Sequence, residues 1–540
     1  MTDARDWWQG ATIYQIYPRS FLDTTGNGIG DLRGISRRLD YVADLGVDAI
    51  WVSPFVQSPM KDGGYDVSDY LAVDPLFGQQ EDVQTLFEAA HEHGLRVLMD
   101  QVLSHTSDRH PWFLESRSSR DNPRADWYVW ADAAEDGGPP NNWLSVFGGS
   151  SWQWSPWRSQ YYLHNFLREQ PDLNFHCEAV QEALLEVCRT WLDLGADGFR
   201  LDVCAFYFHD RRLRDNPPEP ATPRGSHFQF NPHSYQRHVH DIGQPENHAF
   251  LERLRRLVDG YGDRVLLGEL HQENYAALHR AYTAPGRLHL AYGYELLGAD
   301  RLSAGLLRDC AERLGHDRDD GWVCWALDNH DFTRAPSRCG WETAQDAPLV
   351  HLAAITCLRG AACLYQGSEL ALPEAELTRE QLVDPYGIEF WPAYRGRDGA
   401  RTPMPWSDAS PAAGFSEVEP WLPVPPAHRA LAVSLQEREP GSPLLRLRRF
   451  LHWRRQQPAL RDGAMRFIDV PEPLLAFLRY RDDGSTICCV FNLGPQELRV
   501  GRGPAAVPGR ALSGHGFGCP ENDSTLFLPA WGAWFGAVTP

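Results

Sequence analysis

Three carboxylates follow three separate apolar runs: Asp202 in GFRLD, Glu269 in LLGE and Asp331 in LDNHD. Two acids flanking an acetal carbon can cleave it, one ionised and attacking, the other protonated and releasing the leaving oxygen. In the stretch GADGFRLDV, Arg200 and Asp202 lie two positions apart on what reads as a strand, so both project to the same side. A guanidinium beside a carboxylate lowers its pKa, and Arg200 is expected to hold Asp202 ionised, as a nucleophile requires. Glu269 has no basic neighbour in its own run, so burial is expected to leave it a transferable proton, as a general acid requires. His105, His330 and Arg200 accompany the acids, which makes three strand-end carboxylates harder to read as structural.

These residues need a scaffold that gathers the ends of several strands. Eight short β-branched or aromatic runs begin at Ala11, Ala49, Arg96, Gly198, Val265, Leu290, Val323 and Ala361, with amphipathic stretches between them. That alternation predicts βα units, and eight such units close a (β/α)8 TIM barrel whose catalytic mouth lies at the C-terminal ends of its strands. In EAVQEALLEVCRTWLDLG, the residues Val180, Leu184, Val187, Cys188, Trp191 and Leu192 fall on one helical stripe, and Gly195 supplies the stop. The barrel is expected over 1–104 and 176–462, interrupted after its third strand by a small inserted domain, 105–175, rich in Trp, Asn, Gly and Pro. A Pro-rich loop follows the fourth strand, and loops of that length are usually functional. From 463 to 540, strands alternate with turns and no helices intervene, which predicts a C-terminal antiparallel β-sandwich domain.

Composition narrows the partners. A net charge of −21, spread along the 540 residues, disfavours nucleic acid and anionic membranes. No run approaches the length of a membrane span, and the N-terminus lacks the pattern of a signal peptide. The eleven cysteines have no metal-ligand spacing and read as reduced, packed thiols in a cytoplasmic protein, a monomer or homodimer. Cys488 and Cys489, adjacent on a strand, are expected on opposite faces. The 20 Trp, 19 Tyr and 24 Phe fill a large core and leave some rings to stack on sugar faces.

The ordered segments WWQGATIYQIYPRSF, GGYDVSDY, DQVLSHTS, QPDLNF, GFRLDV, NHD and GRDGARTPMPW resemble glycoside hydrolase family 13, the α-amylase family, in its bacterial α-glucosidase and oligo-1,6-glucosidase branch. The resemblance spans nearly the whole chain. It implies a retaining, exo-acting α-glucosidase working on short oligosaccharides or small α-glucosides, with Asp202 as nucleophile, Glu269 as acid/base and Asp331 as the third carboxylate. It further implies that His105 and His330 bind sugar hydroxyls, that Tyr65 stacks on the ring, and that Asp62 and Arg401 close the pocket at the non-reducing end. Arg200, Val203 and Tyr294 complete the implied substrate site, and Asp100 is implied as a support for the site's loops. No catalytic cofactor is implied.

DTTGNGIGD resembles the family's short metal loop, with Asp23, Thr25, Asn27, the Ile29 carbonyl and Asp31 as candidate oxygen ligands for a structural Ca2+ or Mg2+. Only two of these carry charge, which weakens the expected affinity. Val203 stands at the position that the family associates with linkage preference, and Asp328 is expected to add a negative charge near the +1 side. The same glucosyl-enzyme intermediate would serve an α-glucosyltransferase or a sucrose-type enzyme. A non-catalytic binding module of the same fold is the remaining reading, disfavoured by retention of all three carboxylates.

Overall fold

The computed structural model describes residues 6–220, 229–270, 275–314, 321–503, 507–522 and 524–538. Eight parallel strands close into a barrel: β1 (Thr12–Ile16), β2 (Ala49–Val52), β3 (Arg96–Gln101), β4 (Gly198–Leu201), β5 (Val265–Leu270), β6 (Leu290–Gly293), β7 (Trp322–Ala326) and β8 (Ala361–Tyr365). They are the eight runs expected, in sequential order, with β8 pairing back to β1. Parallel strands covered on both faces must be apolar almost throughout, and that is why they are legible as short unbroken runs. Gly198 has φ +148°, and a Cβ there would meet the Val265 carbonyl oxygen at 2.0 Å, so only glycine lets β4 start this close to β5.

The helix Glu178–Asp193 buries the expected stripe, together with Leu185, and the chain turns off it at Gly195 with φ +108°. After β3, strands Trp130–Ala131, Gln160–Leu163 and Trp152–Ser155 form a small antiparallel sheet around Val129, Trp143, Trp152 and Leu163. After β4, the described part of the long loop includes Asn231 and His233, on the wall of the barrel's mouth; residues 221–228 lie outside the described residues.

The C-terminal region is antiparallel, with a five-stranded sheet beside a two-stranded one. Period-2 alternation gives this sheet two apolar faces. Leu474, Ala476, Leu478, Cys488 and Val490 pack under the two-stranded sheet, whereas Phe477, Cys489, Phe491 and Phe535 join the barrel's helical layer. Cys488 and Cys489 therefore do face opposite ways, and all eleven cysteines are free thiols. No described helix is long and apolar enough to cross a membrane.

A buried arginine of this sheet, Arg479, joins it to the barrel, and a second, Arg454 of the helix Pro443–Arg455, ties that helix to the same chain segment near Thr356. Arg479 Nη1 donates to the Cys357 and Leu358 carbonyls at 2.6 and 2.9 Å, and its Nη2 to Gly463 O at 2.8 Å. Arg454 Nε donates to Thr356 O at 2.6 Å. Each carbonyl ends a helix or turn with no strand partner to satisfy it. Arg479→Met is expected to lower stability by about 3 kcal/mol, because the buried carbonyls lose their donors. A shift of the denaturant midpoint reads this directly, and an unchanged midpoint would contradict the assignment.

Candidate active site

The site is built where β3, β4 and β5 lie in register. Asp100 sits opposite Arg200, Arg200 opposite Leu267, and Glu269 opposite Tyr292 of β6. Arg200 is wholly buried and every N–H of its guanidinium has work. Nη1 donates to Asp100 and to Asp202 at 2.7 Å each, Nη2 to Glu269 at 2.5 Å and to the Tyr292 hydroxyl at 2.8 Å, and Nε to the same hydroxyl at 3.2 Å. Asp100 also accepts from Trp51 Nε1 and the Tyr65 hydroxyl, the supporting position expected of it. Burial pushes its carboxyl up to about 6, against the pull of Arg200.

Two electrostatic expectations are corrected here. Burial pushes the Asp202 carboxyl well above the usual range; Arg200 opposes this, while Glu269, Asp100 and Asp331 add to the rise. One cation divided among three carboxylates does not hold Asp202 low. Glu269, in turn, does have a basic partner: Arg200 reaches it from the neighbouring strand, and Val203 N and the Tyr294 hydroxyl donate to it at 3.1 and 2.6 Å. Spacing within one strand could not reveal a partner on the next.

Asp331, just past β7, has the opposite environment. Burial alone would raise it, yet His330, Arg397 and Arg401 together carry it well below the ordinary carboxylate range. Its Oδ1 lies 3.1 Å from Arg397 Nη1 and 2.9 Å from Arg401 Nη2. Gln15 donates to His330 Nδ1 at 2.8 Å, which leaves the proton on Nε2, 3.2 Å from Asp331 Oδ2.

Asp62, Tyr65, His105, Asp202, Val203, Glu269, Tyr294, His330 and Asp331 all line one pocket. Arg200 and Arg401 do not. Arg200 lies beneath the carboxylates, and Arg401 stands behind the wall with Nε on the His330 carbonyl at 2.7 Å. The cation at the far end is Arg397, which the sequence reading passed over. Its Nη2 binds Asp62 and Asp384 at 2.7 Å each. Both arginines flank the single turn 398–400, so choosing between them required the geometry. Gln170 of QPDLNF donates to Asp62 at 3.1 Å. Asp328 is also corrected: it turns inward, accepting from Ala335 N and, at 2.8 Å, from Ser368 Oγ, and it does not line the pocket. Val203 adopts φ 36°, ψ 45°, a left-handed conformation that costs a β-branched residue about 1–3 kcal/mol. The turn aims its N–H at Glu269.

The 23–31 loop is held by its own hydrogen bonds. Asp23 accepts from the N–H groups of Thr25, Gly26 and Gly28 and from Ser416 Oγ. Asp31 caps the following helix through Gly34 N and accepts from Thr24 N and Oγ1. The Thr25 hydroxyl is spent on Asp23, and Asn27 Oδ1 on Ile29 N. These oxygens accept from protein donors, which leaves fewer lone pairs for a cation. Among the described residues, no three His, Cys, Asp or Glu side chains cluster to hold a metal ion.

Residues 15–463 match the family model described as the alpha-amylase catalytic domain. A probable alpha-glucosidase of Rhizobium meliloti is 51% identical, with 98% of this chain and 97% of that protein covered. An oligo-1,6-glucosidase of Heyndrickxia coagulans is 35% identical over 91% and 93% of the two. Among solved structures, an alpha-glucosyl transfer enzyme, XgtA, superposes with a TM-score of 0.95 at 51% identity, covering 99% of this chain and 100% of that one. The trehalulose synthase MutB of Pseudomonas mesoacidophila MX-45 gives 0.89 at 31% identity, with the same coverage.

Burial lowers His105 to about 4 and His330 to about 3, so both imidazoles are neutral donors near pH 7. The unfolded chain, with histidines near 6.5, binds more protons than the native one below that pH, so stability falls as pH drops toward 4. For His105 the loss by pH 4 is on the order of 3 kcal/mol. Melting temperatures at pH 7 and 4.5 should therefore differ less in His105→Asn than in the parent. Equal differences would contradict the buried, neutral state.

Proposed function

The chain belongs to the α-amylase family, glycoside hydrolase family 13, and we propose that it is a retaining α-glucosidase that removes terminal glucose from short oligosaccharides or small α-glucosides. It is a glycoside hydrolase of the α-glucosidase type, similar over almost its whole length to proteins so named, and such hydrolases need no catalytic cofactor. The observation that carries the mechanism is the placement of Asp202 and Glu269 on the two terminal nitrogens of one guanidinium. The shared guanidinium holds the two carboxyls as neighbours at one mouth, as a nucleophile and acid/base pair must be.

Like charges this close retain a proton between them. In the productive step Asp202, ion-paired to Arg200 Nη1 at 2.7 Å, is the group that attacks, and Glu269 is the group that exchanges the proton. Asp202 attacks the anomeric carbon and forms a glucosyl ester while Glu269 protonates the departing oxygen. Glu269 then takes a proton from water, which opens the ester. At the other end, Arg397 ties Asp62 to Asp331 across the pocket, an arrangement that suits the hydroxyls of a terminal sugar. That supports exo action. Neutral His330 keeps its N–H on Nε2, beside Asp331, without adding positive charge near a developing oxocarbenium ion.

Transfer to an alcohol is the second reading. Phe332 lines the pocket edge-on to Tyr294, the residue that donates to Glu269, and gives an acceptor a ring on which to stack in competition with water. The likeness to the glucosyl transfer enzyme XgtA supports it as well. The eleven free thiols suit a reducing, cytoplasmic compartment. A structural Ca2+ or Mg2+ in the 23–31 loop has less support, because protein donors already occupy its oxygens.

Asp202→Asn is expected to lower kcat/KM for p-nitrophenyl α-glucoside by about a thousandfold or more while the fold is kept. Retained turnover would overturn the mechanism. Arg397→Ala is expected to raise KM at least about tenfold, and Asp328→Ser to leave KM within about twofold. A chelator is expected to leave the melting temperature unchanged; a fall restored by Ca2+ would place a metal in the loop.

A further inference from the structure

The inserted domain carries a second concave site that the catalytic pocket does not use. Trp154 and Trp157 are 39% and 67% exposed, unusual for rings of this size. They border a groove of about 240 Å³ that shares no lining residue with the catalytic pocket. Tyr161 packs edge-on against Trp154 at 5.1 Å, and the Arg117 guanidinium lies 4.8 Å over Trp157, so both indoles are braced.

Between them the groove is polar. Ser155 is only 3% exposed, lines the groove, and its Oγ has no hydrogen-bond partner among the described residues. A buried hydroxyl left unpaired is costly, and a ligand hydroxyl in the groove would satisfy it. Asp108 and Arg117 line it too, and Arg168 and Glu169 form an ion pair at 3.0 Å along its wall. Two carboxylates and two guanidiniums balance, which selects against an anion or a cation. Flat rings beside donors and acceptors of balanced charge fit a neutral polyhydroxylated ring.

We propose that this groove is a second, non-catalytic carbohydrate site that binds α-linked gluco-oligosaccharides. The sugar class rests on the α-glucosidase reading; the site itself rests on the exposed indoles and the unpaired Ser155 hydroxyl. Its wall shares segments with the active site: Asp108 N donates to Glu169 O at 2.8 Å, three residues after His105 and one before Gln170. A bound oligosaccharide would be held beside the pocket, at the edge of the inserted domain.

The test titrates maltotriose into Asp202→Asn enzyme by isothermal calorimetry, with glucose release assayed in the same sample. Two classes of site are expected. Adding Trp157→Ala or Ser155→Ala should weaken one class at least tenfold and leave the other, whereas adding Arg397→Ala should remove only the other. In the otherwise native enzyme, Trp157→Ala should keep kcat/KM for p-nitrophenyl α-glucoside within twofold. A single class of sites, two classes that both survive Trp157→Ala, or loss of both together would overturn the proposal. Substantial glucose release by Asp202→Asn would instead count against the nucleophile assignment.

Discussion

A single buried guanidinium organises the catalytic end of the barrel. Arg200 has no exposed surface, and its five N–H bonds are distributed over Asp100, Asp202, Glu269 and Tyr292, contributed by four neighbouring strands or their ends. A charge taken out of water this completely is tolerated only where every donor is matched. The arrangement therefore fixes strand register, side-chain orientation and ionisation together. Trp51 lies against the guanidinium with its ring centroid 4.8 Å from Cζ and donates to Asp100, which closes the cluster from the second strand.

The second charged cluster is the complement of the first. Around Arg200 the carboxylates outnumber the cation, so Asp202 is pushed up and a proton is retained. Asp331 instead contacts two guanidiniums, those of Arg397 and Arg401, so it is held ionised. A pocket with protons available at one end and fixed charge at the other suits an acid-assisted displacement, with the remainder of the sugar gripped by groups that do not titrate. The left-handed turn at Val203 joins the two functions, since it ends β4 just after Asp202 and presents a backbone N–H to Glu269.

Much of this was legible in the sequence, for physical reasons. Parallel strands buried on both faces leave unbroken apolar runs, so all eight could be placed, and acids that terminate such runs must converge on one mouth. What escaped detection depends on contacts between elements distant in sequence. Arg200 to Glu269 crosses from one strand to the next, and no spacing within either run encodes it. Arg397 and Arg401 flank one turn, and only the packing of residues 384–401 decides that the first reaches Asp62 while the second backs His330. Asp328 read as a charge facing substrate because its neighbours in LDNHD do face it, yet its own side chain serves Ala335 N and Ser368. The loop at 23–31 preserves the spacing of a metal site, whereas its carboxylates serve backbone N–H groups.

The central claim is that Arg200, by bridging Asp202 and Glu269, sets how the pair shares its proton. The pH dependence of kcat/KM in Arg200→Lys tests it most directly, because lysine keeps the charge but cannot span both carboxyls. The account predicts that the acid limb moves upward by about one pH unit or more, since Asp202 loses its direct cation, with a large fall in the plateau. An acid limb at the wild-type position, with only the plateau changed, would contradict it.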